Sequence, residues 1–274
     1  MRARFDLERM RVIAGKEFSD RIRNRWVLTV AVIFSLFALA IAYFGSAQQG
    51  SVGFKNVDVT IASLVSLAVY LVPLIALLLG YDSVVGERER GSMELLLSMP
   101  VTRFEILLGK YLGLSAALAV STILGFSAGL LPISGELEMA DFYHYAGFVL
   151  SAALMGMAFL SLAMLVSAVA ADRIQASGLA IGLWFFFVLI FDLLLTGALV
   201  LSDGGMSSDL FGALLMLNPA DIFRLLNIFN SEQVQSMYGL ATVLPDKLTM
   251  PSVLGLVMVG WIVVPFLIAR WRFK

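Results

Sequence analysis

The longest unbroken run of charges in the chain, Glu87-Arg88-Glu89-Arg90, lies in the string Gly86-Glu87-Arg88-Glu89-Arg90-Gly91-Ser92-Met93-Glu94, followed at once by Leu95-Leu96-Leu97. It lies between an apolar run that ends near Tyr81 and another that begins near Leu107. Such a segment is too polar for hydrocarbon and too short for a domain. Its chemistry is recognition: charges of alternating sign fix a partner's register, and neighbouring apolar side chains supply grip. The candidates for that contact, within segment 82–106, are Glu87, Arg88, Glu89, Arg90, Gly91 and Glu94. The plainer alternative is a solvated loop of topogenic charges. Met93 and Leu95–Leu97 beside the charges favour an amphipathic turn instead.

Asp192 is the one carboxylate deep inside an apolar run. Burying it there costs about 2.5–3.5 kcal/mol on insertion scales, which marks it as a functional candidate. It lies about 16 residues, or about 24 Å of helix, from the inner end of its run. That depth is the outer third of a membrane, within reach of water or of an outer-loop Lys or Arg. Either a structural ion pair or hydrogen bond, or a gating or substrate contact, fits this position.

Other chemistry is missing. The phosphate-cradling G-x-x-x-x-G-K-[ST] string does not occur, and neither does H-E-x-x-H nor G-x-S-x-G. There is no cysteine and a single histidine, His144. The outer methionines Met139, Met206, Met216, Met237 and Met250 share no ligand spacing, and most methionines here suit packing. No catalytic, cofactor-binding or metal site is expected in this chain. A formal net charge of −1 gives no support to a nucleic-acid partner.

The elements that must position these residues are membrane helices. The 274 residues are 60% hydrophobic and only 14% charged, against about 25% charged in a soluble domain. Six runs reach the roughly 20 apolar residues a span needs: Trp26–Gly45, Thr60–Tyr81, Leu107–Leu131, Tyr145–Ala171, Ala176–Leu201 and Pro251–Ala269. Backbone groups in lipid must be paired within their own segment, so the runs are helices. Their lack of alternation excludes a β-barrel. The first run starts only after about 25 mostly polar residues, so no cleavable signal peptide is expected. Of the 19 Lys and Arg, all but Lys55, Arg224 and Lys247 fall on one side of this arrangement, which places both termini and segment 82–106 in the cytoplasm. The opposite side carries Asp58, Glu136, Glu138, Asp141, Asp203, Asp209, Asp221, Glu232 and Asp246, and is acidic. The fold expected is an all-α, six-span integral membrane protein, one transmembrane domain over 1–274.

Two pieces lie outside the spans. Residues 6–22 place Leu7, Met10, Ala14, Phe18 and Ile22 at steps of three and four among charges, the pattern of an amphipathic helix at the inner membrane surface. Loop 202–250 carries the apolar cluster Leu210, Phe211, Leu214, Leu215, Leu217, a break at Asn218-Pro219, then helical spacing through Phe223, Leu226 and Phe229. It predicts short helices capping the bundle or returning to the outer surface. Gly109/Gly113, Gly125/Gly129 and Gly178/Gly182 permit close helix approach, within the chain or between two copies. Pro73 and Pro265 interrupt the second and sixth spans.

The Gly86–Glu94 string, with Leu95-Leu96-Leu97-Ser98-Met99-Pro100-Val101-Thr102-Arg103 after it, resembles the coupling-helix signature of type-2 ABC transporter permeases. Ser92 and Met93 stand where the signature usually has threonine and leucine. Gly80-Tyr81-Asp82, Ile106-Leu107-Leu108-Gly109-Lys110 and the outer string Leu217-Asn218-Pro219-Ala220-Asp221-Ile222-Phe223-Arg224-Leu225-Leu226 are similar to the permeases of nitrous oxide reductase maturation. The resemblance implies a homodimer in the bacterial inner membrane and two cytoplasmic ATPase subunits, holding ATP and Mg, on the coupling segments. It also implies a periplasmic β-helical accessory protein on the outer loops, with Asn218, Pro219, Asp221, Phe223 and Arg224 as contacts. ATP use would then drive copper delivery to nitrous oxide reductase, the copper being handled by periplasmic partners. Two other functions compete: an ABC exporter of a small or lipidic substrate, and an ATP-independent secondary transporter or channel. The shortage of intramembrane ionisable residues weighs against the last.

Overall fold

The computed structural model describes residues 6–44, 57–129, 139–202, 206–228 and 250–273. The expected span ends at Gly45 and Leu131, the charges Arg2, Arg4, Lys55, Glu136, Glu138, Asp203, Glu232, Asp246, Lys247 and Lys274, and Phe229 and Met237 lie outside the described residues. Among the described residues the chain is helical, without a strand. In chain order the helices are α1 (Leu7–Arg23), α2 (Trp26–Phe44), α3 (Val57–Gly80), α4 (Val85–Glu89), α5 (Ser92–Ser98), α6 (Arg103–Ser127) and α7 (Met139–Val169). They continue with α8 (Arg173–Leu201), α9 (Ser208–Leu215), α10 (Pro219–Ile228) and α11 (Pro251–Arg272). Six of them, α2, α3, α6, α7, α8 and α11, are long and apolar enough to cross a membrane.

Polar caps set the ends that hydropathy misplaces. The third span starts at Arg103 and not at Leu107, because Thr102 and Glu105 form a reciprocal capping box. The fifth starts at Arg173, where the Asp172 side chain accepts from the backbone N–H of Gln175. Charged residues thus enter the first helical turn at no cost to the hydrocarbon-spanning part.

The most buried span is α7, which packs against α3, α6, α10 and α11. Phe148 on α7 is fully buried and meets Phe126 of α6 at 5.1 Å, Tyr145 at 5.6 Å and Phe223 of α10 at 6.1 Å between ring centroids. The least buried span is α8. Neighbouring helices bond to the backbone beside both internal prolines. Trp184 donates to the carbonyl of Tyr70, three residues before Pro73, and Ser161 donates to that of Ile262, three before Pro265. Each bond lies one residue past the carbonyl that the missing proline N–H leaves without its helical donor.

One face of α6 is small at every fourth position: Gly109, Gly113, Ala117, Ser121 and Gly125, with Gly129 just beyond. Two helices lie along it. Gly109 and Gly113 receive Met10, Ile13, Ala14 and Glu17 of α1, while Gly125 and Gly129 receive Ala31, Phe34 and Ala38 of α2. Successive turns of α1 meet successive turns of α6, from Asp6 at Glu105 to Glu17 at Gly113. The expected amphipathic helix is therefore present, and Met10 and Ala14 face α6 and not lipid. Leu7, Val12 and Ile22 stay exposed on its other side.

The stripe makes a mutational contrast. A Cβ at Gly125 would lie 2.3 Å from Phe34 Cβ, whereas nothing lies within 4 Å of one at Gly178. Gly125→Ala is expected to cost about 1–3 kcal/mol through overpacking, seen as a lower thermal midpoint of the detergent-purified protein. Gly178→Ala should leave that midpoint unchanged.

Candidate transmission site

The coupling segment is folded by its glycines and by α7. After α3 the chain turns, and the backbone N–H groups of Val84 and Val85 donate to Ser167 Oγ of α7 at 2.9 and 3.1 Å, which caps α4 from outside. At Gly86 a Cβ would fall 2.1 Å from Asp82 Oδ1 and 2.7 Å from an Arg173 guanidinium nitrogen, so only glycine lets that pair pass. Gly91 adopts φ 71°, the left-handed turn that separates α4 from α5.

Of the candidate coupling charges Glu87 turns inward, while Arg88, Glu89 and Arg90 stay exposed and bond within the chain as well. Glu87 Oε1 lies 2.6 Å from Lys110 Nζ, which also meets Glu17 Oε1 at 2.9 Å. Lys110 is 2% exposed, and this triad ties α1, α4 and α6 together. Burial acts to raise the Glu17 carboxyl, and the Lys110 ammonium, aided by Lys16, outweighs it and holds the group below the usual carboxylate range. Arg88 donates to the carbonyls of Ala168 and Ala170 at the end of α7. Glu89 accepts from the backbone N–H of Arg173 at 2.8 Å. Arg90 pairs with Asp82 at 3.6 Å, and Arg173 with Asp82 at 2.6 Å. What the segment presents outward is Arg88, Glu89, Arg90, Gly91 and Glu94, with Leu95, Leu97 and Met99 beside them. Sequence reading missed Lys110, Glu17, Asp82 and Arg173 as site residues. The available signal was Lys110 itself, a cation seven residues into a membrane helix, which needs a carboxylate partner.

The middle of α8 carries a second junction. Phe186–Ile190 form a π-helical turn, and the buried Asn218 donates to the Phe187 carbonyl at 2.9 Å. Its Nδ2 also meets Asp221 Oδ2, and its Oδ1 accepts from Ala220 N–H. Arg224 then spans two carboxylates, Asp192 of α8 at 2.6 Å and Asp221 at 2.7 Å. The expected outer-loop cation for Asp192 is thus Arg224. Asn227 donates to Ser151 of α7, so α10 is tied to both α7 and α8. Asn218, Pro219, Asp221 and Phe223 are buried and Arg224 is half-buried. The chain's own helices occupy these five residues, and the outward side chains near them are Leu210 and Leu217, with Met139, Phe142 and Tyr143 at the outer end of α7. A cavity of about 390 Å³ opens beside the pair, lined by Tyr70, Asp192, Thr196, Asp221 and Arg224 among apolar side chains.

Burial pushes the Asp221 carboxyl up; Arg224 opposes this and Asp192 reinforces it, leaving the group at about 7. The folded value lies above the ordinary 3.8, so the fold binds the protonated form more tightly. The stability this contributes is complete below pH about 4 and is lost as pH rises through about 7. Hydrogen-exchange protection of α10, corrected for intrinsic rates, should fall across that window. In Asp221→Asn the fall should vanish.

The ABC-2 family of transporter proteins matches residues 11–274. The chain belongs to that family. This ABC-2 permease is 43% identical over 266 residues to the probable ABC transporter permease protein NosY of Stutzerimonas stutzeri, covering 96% of each chain. It is 44% identical over 268 residues to the protein of the same description from Pseudomonas aeruginosa, again with 96% of each covered. It is accordingly an ABC transporter permease subunit, a multi-pass protein of the bacterial inner membrane that works in a complex with an ATPase partner. Within that frame the two junctions lie at the start and past the middle of α8: Asp82, Glu89 and Arg173 at its start, and Asn218, Asp192 and Arg224 at and just after its π turn.

Proposed function

We propose that this ABC-2 permease transmits force. A separate cytoplasmic ATPase, which binds ATP and Mg, docks on the exposed face of α5, and its cycle moves α8 against the bundle. That movement reaches α10 and the periplasmic side, where it serves copper delivery to nitrous oxide reductase during its maturation, a step of denitrification. Both termini are cytoplasmic in this reading. Two copies pair in the membrane, which suits the open Gly178 and Gly182 on α8. A periplasmic β-helical accessory protein sits over the outer loops, against the exposed Met139, Phe142 and Tyr143.

The observation that carries the reading is the pair of polar junctions that α8 joins, Glu89 with Arg173 at its start, and Phe187 and Asp192 with Asn218 and Arg224 further along. A π turn in mid-span is a usual place for a helix to yield. The test uses the outward apolar grip. Leu95 and Met99 are 68% and 55% exposed, so changing them to Asp costs the fold little. Loss of a central apolar contact costs about 2 kcal/mol or more at an interface, roughly thirtyfold in affinity. A strain carrying Leu95→Asp with Met99→Asp should hold normal amounts of permease, lose ATPase co-elution, and make copper-deficient reductase. Reductase with full copper content would sink the proposal.

The cavity at Asp192 favours a second reading, export of a small or lipidic substrate past α8. Substrate transport in vesicles that is lost on Asp192→Asn would support it over transmission.

A further inference from the structure

The basic end of the bundle holds another cavity, of about 610 Å³, between the second half of α1 and the α4–α5 segment. Charges of both signs line it: Lys16, Arg21 and Arg90 among Asp20, Asp82 and Glu87. Several are already matched within the wall, Lys16 to Asp20 at 3.4 Å, Arg90 to Asp82 at 3.6 Å, and Glu87 Oε1 to Lys110. Four buried polar atoms of the lining residues have no hydrogen-bond partner: Arg21 Nε, Asp82 Oδ1, Ser83 Oγ and Glu87 Oε2; of these Asp82 Oδ1 is matched in charge by Arg173 at 2.6 Å. Ser83 is only 6% exposed. Buried polar groups are rarely left unmatched, and each unmatched one is expensive. What is left over is a cationic donor on one wall and an anionic acceptor with a hydroxyl on the other.

The complement to such a cavity is a small group with an anionic acceptor at one end and a charged N–H donor at the other. Its position says where that group comes from. Arg21 and Asn24, both in the lining, stand immediately before Trp26, where the first span begins. Tryptophan at a span end marks the headgroup level. Ile22, next to Arg21, and Leu28 just inside the span are 50% and 61% exposed, as residues that face acyl chains are. Leu95, Leu96 and Met99 give the cavity an apolar edge for a glycerol backbone.

We propose that this cavity binds the headgroup of a phospholipid bearing a phosphate and a primary ammonium, a phosphatidylethanolamine. The phosphate lies on the Arg21 side and the ammonium on the Ser83–Glu87 side. The bound lipid bridges α1 to the coupling segment, so the ATPase-docking region is seated partly on the membrane itself. This inference does not rest on the copper reading and stands or falls separately from it.

The experiment uses the full chain in its ABC complex, delipidated and reconstituted in nanodiscs of phosphatidylcholine doped with phosphatidylethanolamine, phosphatidylglycerol or nothing. Lipid retained through detergent extraction is then counted by native mass spectrometry. Phosphatidylethanolamine should be retained about tenfold more tightly than the other two, the worth of one charge-assisted contact. Phosphatidylcholine has no N–H to donate and phosphatidylglycerol no cation. Arg21→Gln should weaken its retention about tenfold, and Ser83→Ala, a smaller change, should narrow its margin over phosphatidylcholine. Equal retention of the three lipids would overturn the proposal, as would a preference unmoved in both variants. A third adverse result is hydrogen-exchange protection of 21–24 and 83–87 by the ATPase that is identical with and without phosphatidylethanolamine. That would make the cavity a protein-docking site.

Discussion

Lys110→Met is expected to destabilise the protein by about 3–5 kcal/mol, the cost of removing one partner from a buried ion pair. Lys110 is the cation for both Glu17 and Glu87, at 2.9 and 2.6 Å, and side-chain exposure is 3%, 9% and 13% across the three. Without it two carboxylates from α1 and α4 face each other, with only the more exposed Lys16 left as a cation, 3.4 Å from Glu17. The thermal midpoint in detergent should drop sharply. Adding Glu17→Gln and Glu87→Gln to Lys110→Met should recover a large part of it, because the uncompensated charge is then gone. A Lys110→Met protein as stable as the parent would refute the triad. The same geometry changes how charge reversal at Glu87 is read: any loss of ATPase coupling would report a broken junction inside the permease as readily as a lost contact with the ATPase.

Arg224→Met should separate the two ends of the proposed pathway. Asp221 is 2% exposed and would lose its cation. Asp192 would lose the tie to α10, although a side-chain exposure of 36% lets water soften that loss. About 2–4 kcal/mol of local stability should disappear, somewhat below the figure for a fully buried pair. It should appear as faster hydrogen exchange in Pro219–Ile228. Arg224→Met with Asp221→Asn removes the stranded carboxylate and should restore protection without restoring the tie. If α10 transmits movement, that double variant hydrolyses ATP at the parental rate while the copper content of the reductase falls at least about tenfold. Parental copper content with restored protection would show that Arg224 serves stability alone.

Much of the architecture was legible from composition along the chain. The six spans needed only contiguous apolar runs of sufficient length; of the helix starts that lie earlier than the runs, Arg103 for Leu107 and Arg173 for Ala176 fell where polar caps extend a helix beyond its apolar part. The position of the charged segment between two spans and of Asp192 within another was also legible, since a charge cluster between spans and a charge within one are conspicuous anywhere. The bonds inside the cluster were not. Glu87 turns in to Lys110, whereas Glu89 and Arg90 pair with Arg173 and Asp82 and stay exposed, as Glu94 does. Asn218 and Phe223, chosen as outer contacts, are instead the pieces that fasten α10 to α8 and α7.

By itself the sequence determined that this chain spans a membrane six times and offers a charged, leucine-edged segment between its second and third spans. Partition into lipid is a sum over neighbouring residues, so a linear reading suffices for it. Tertiary structure alone decided which charges meet, because Glu17 and Lys110 are 93 positions apart, Asp82 and Arg173 91, and Asn218 and Phe187 31. Those pairings depend on which helices lie side by side. That is set by steric fit along faces such as the small stripe of α6, where α1 and α2 come close.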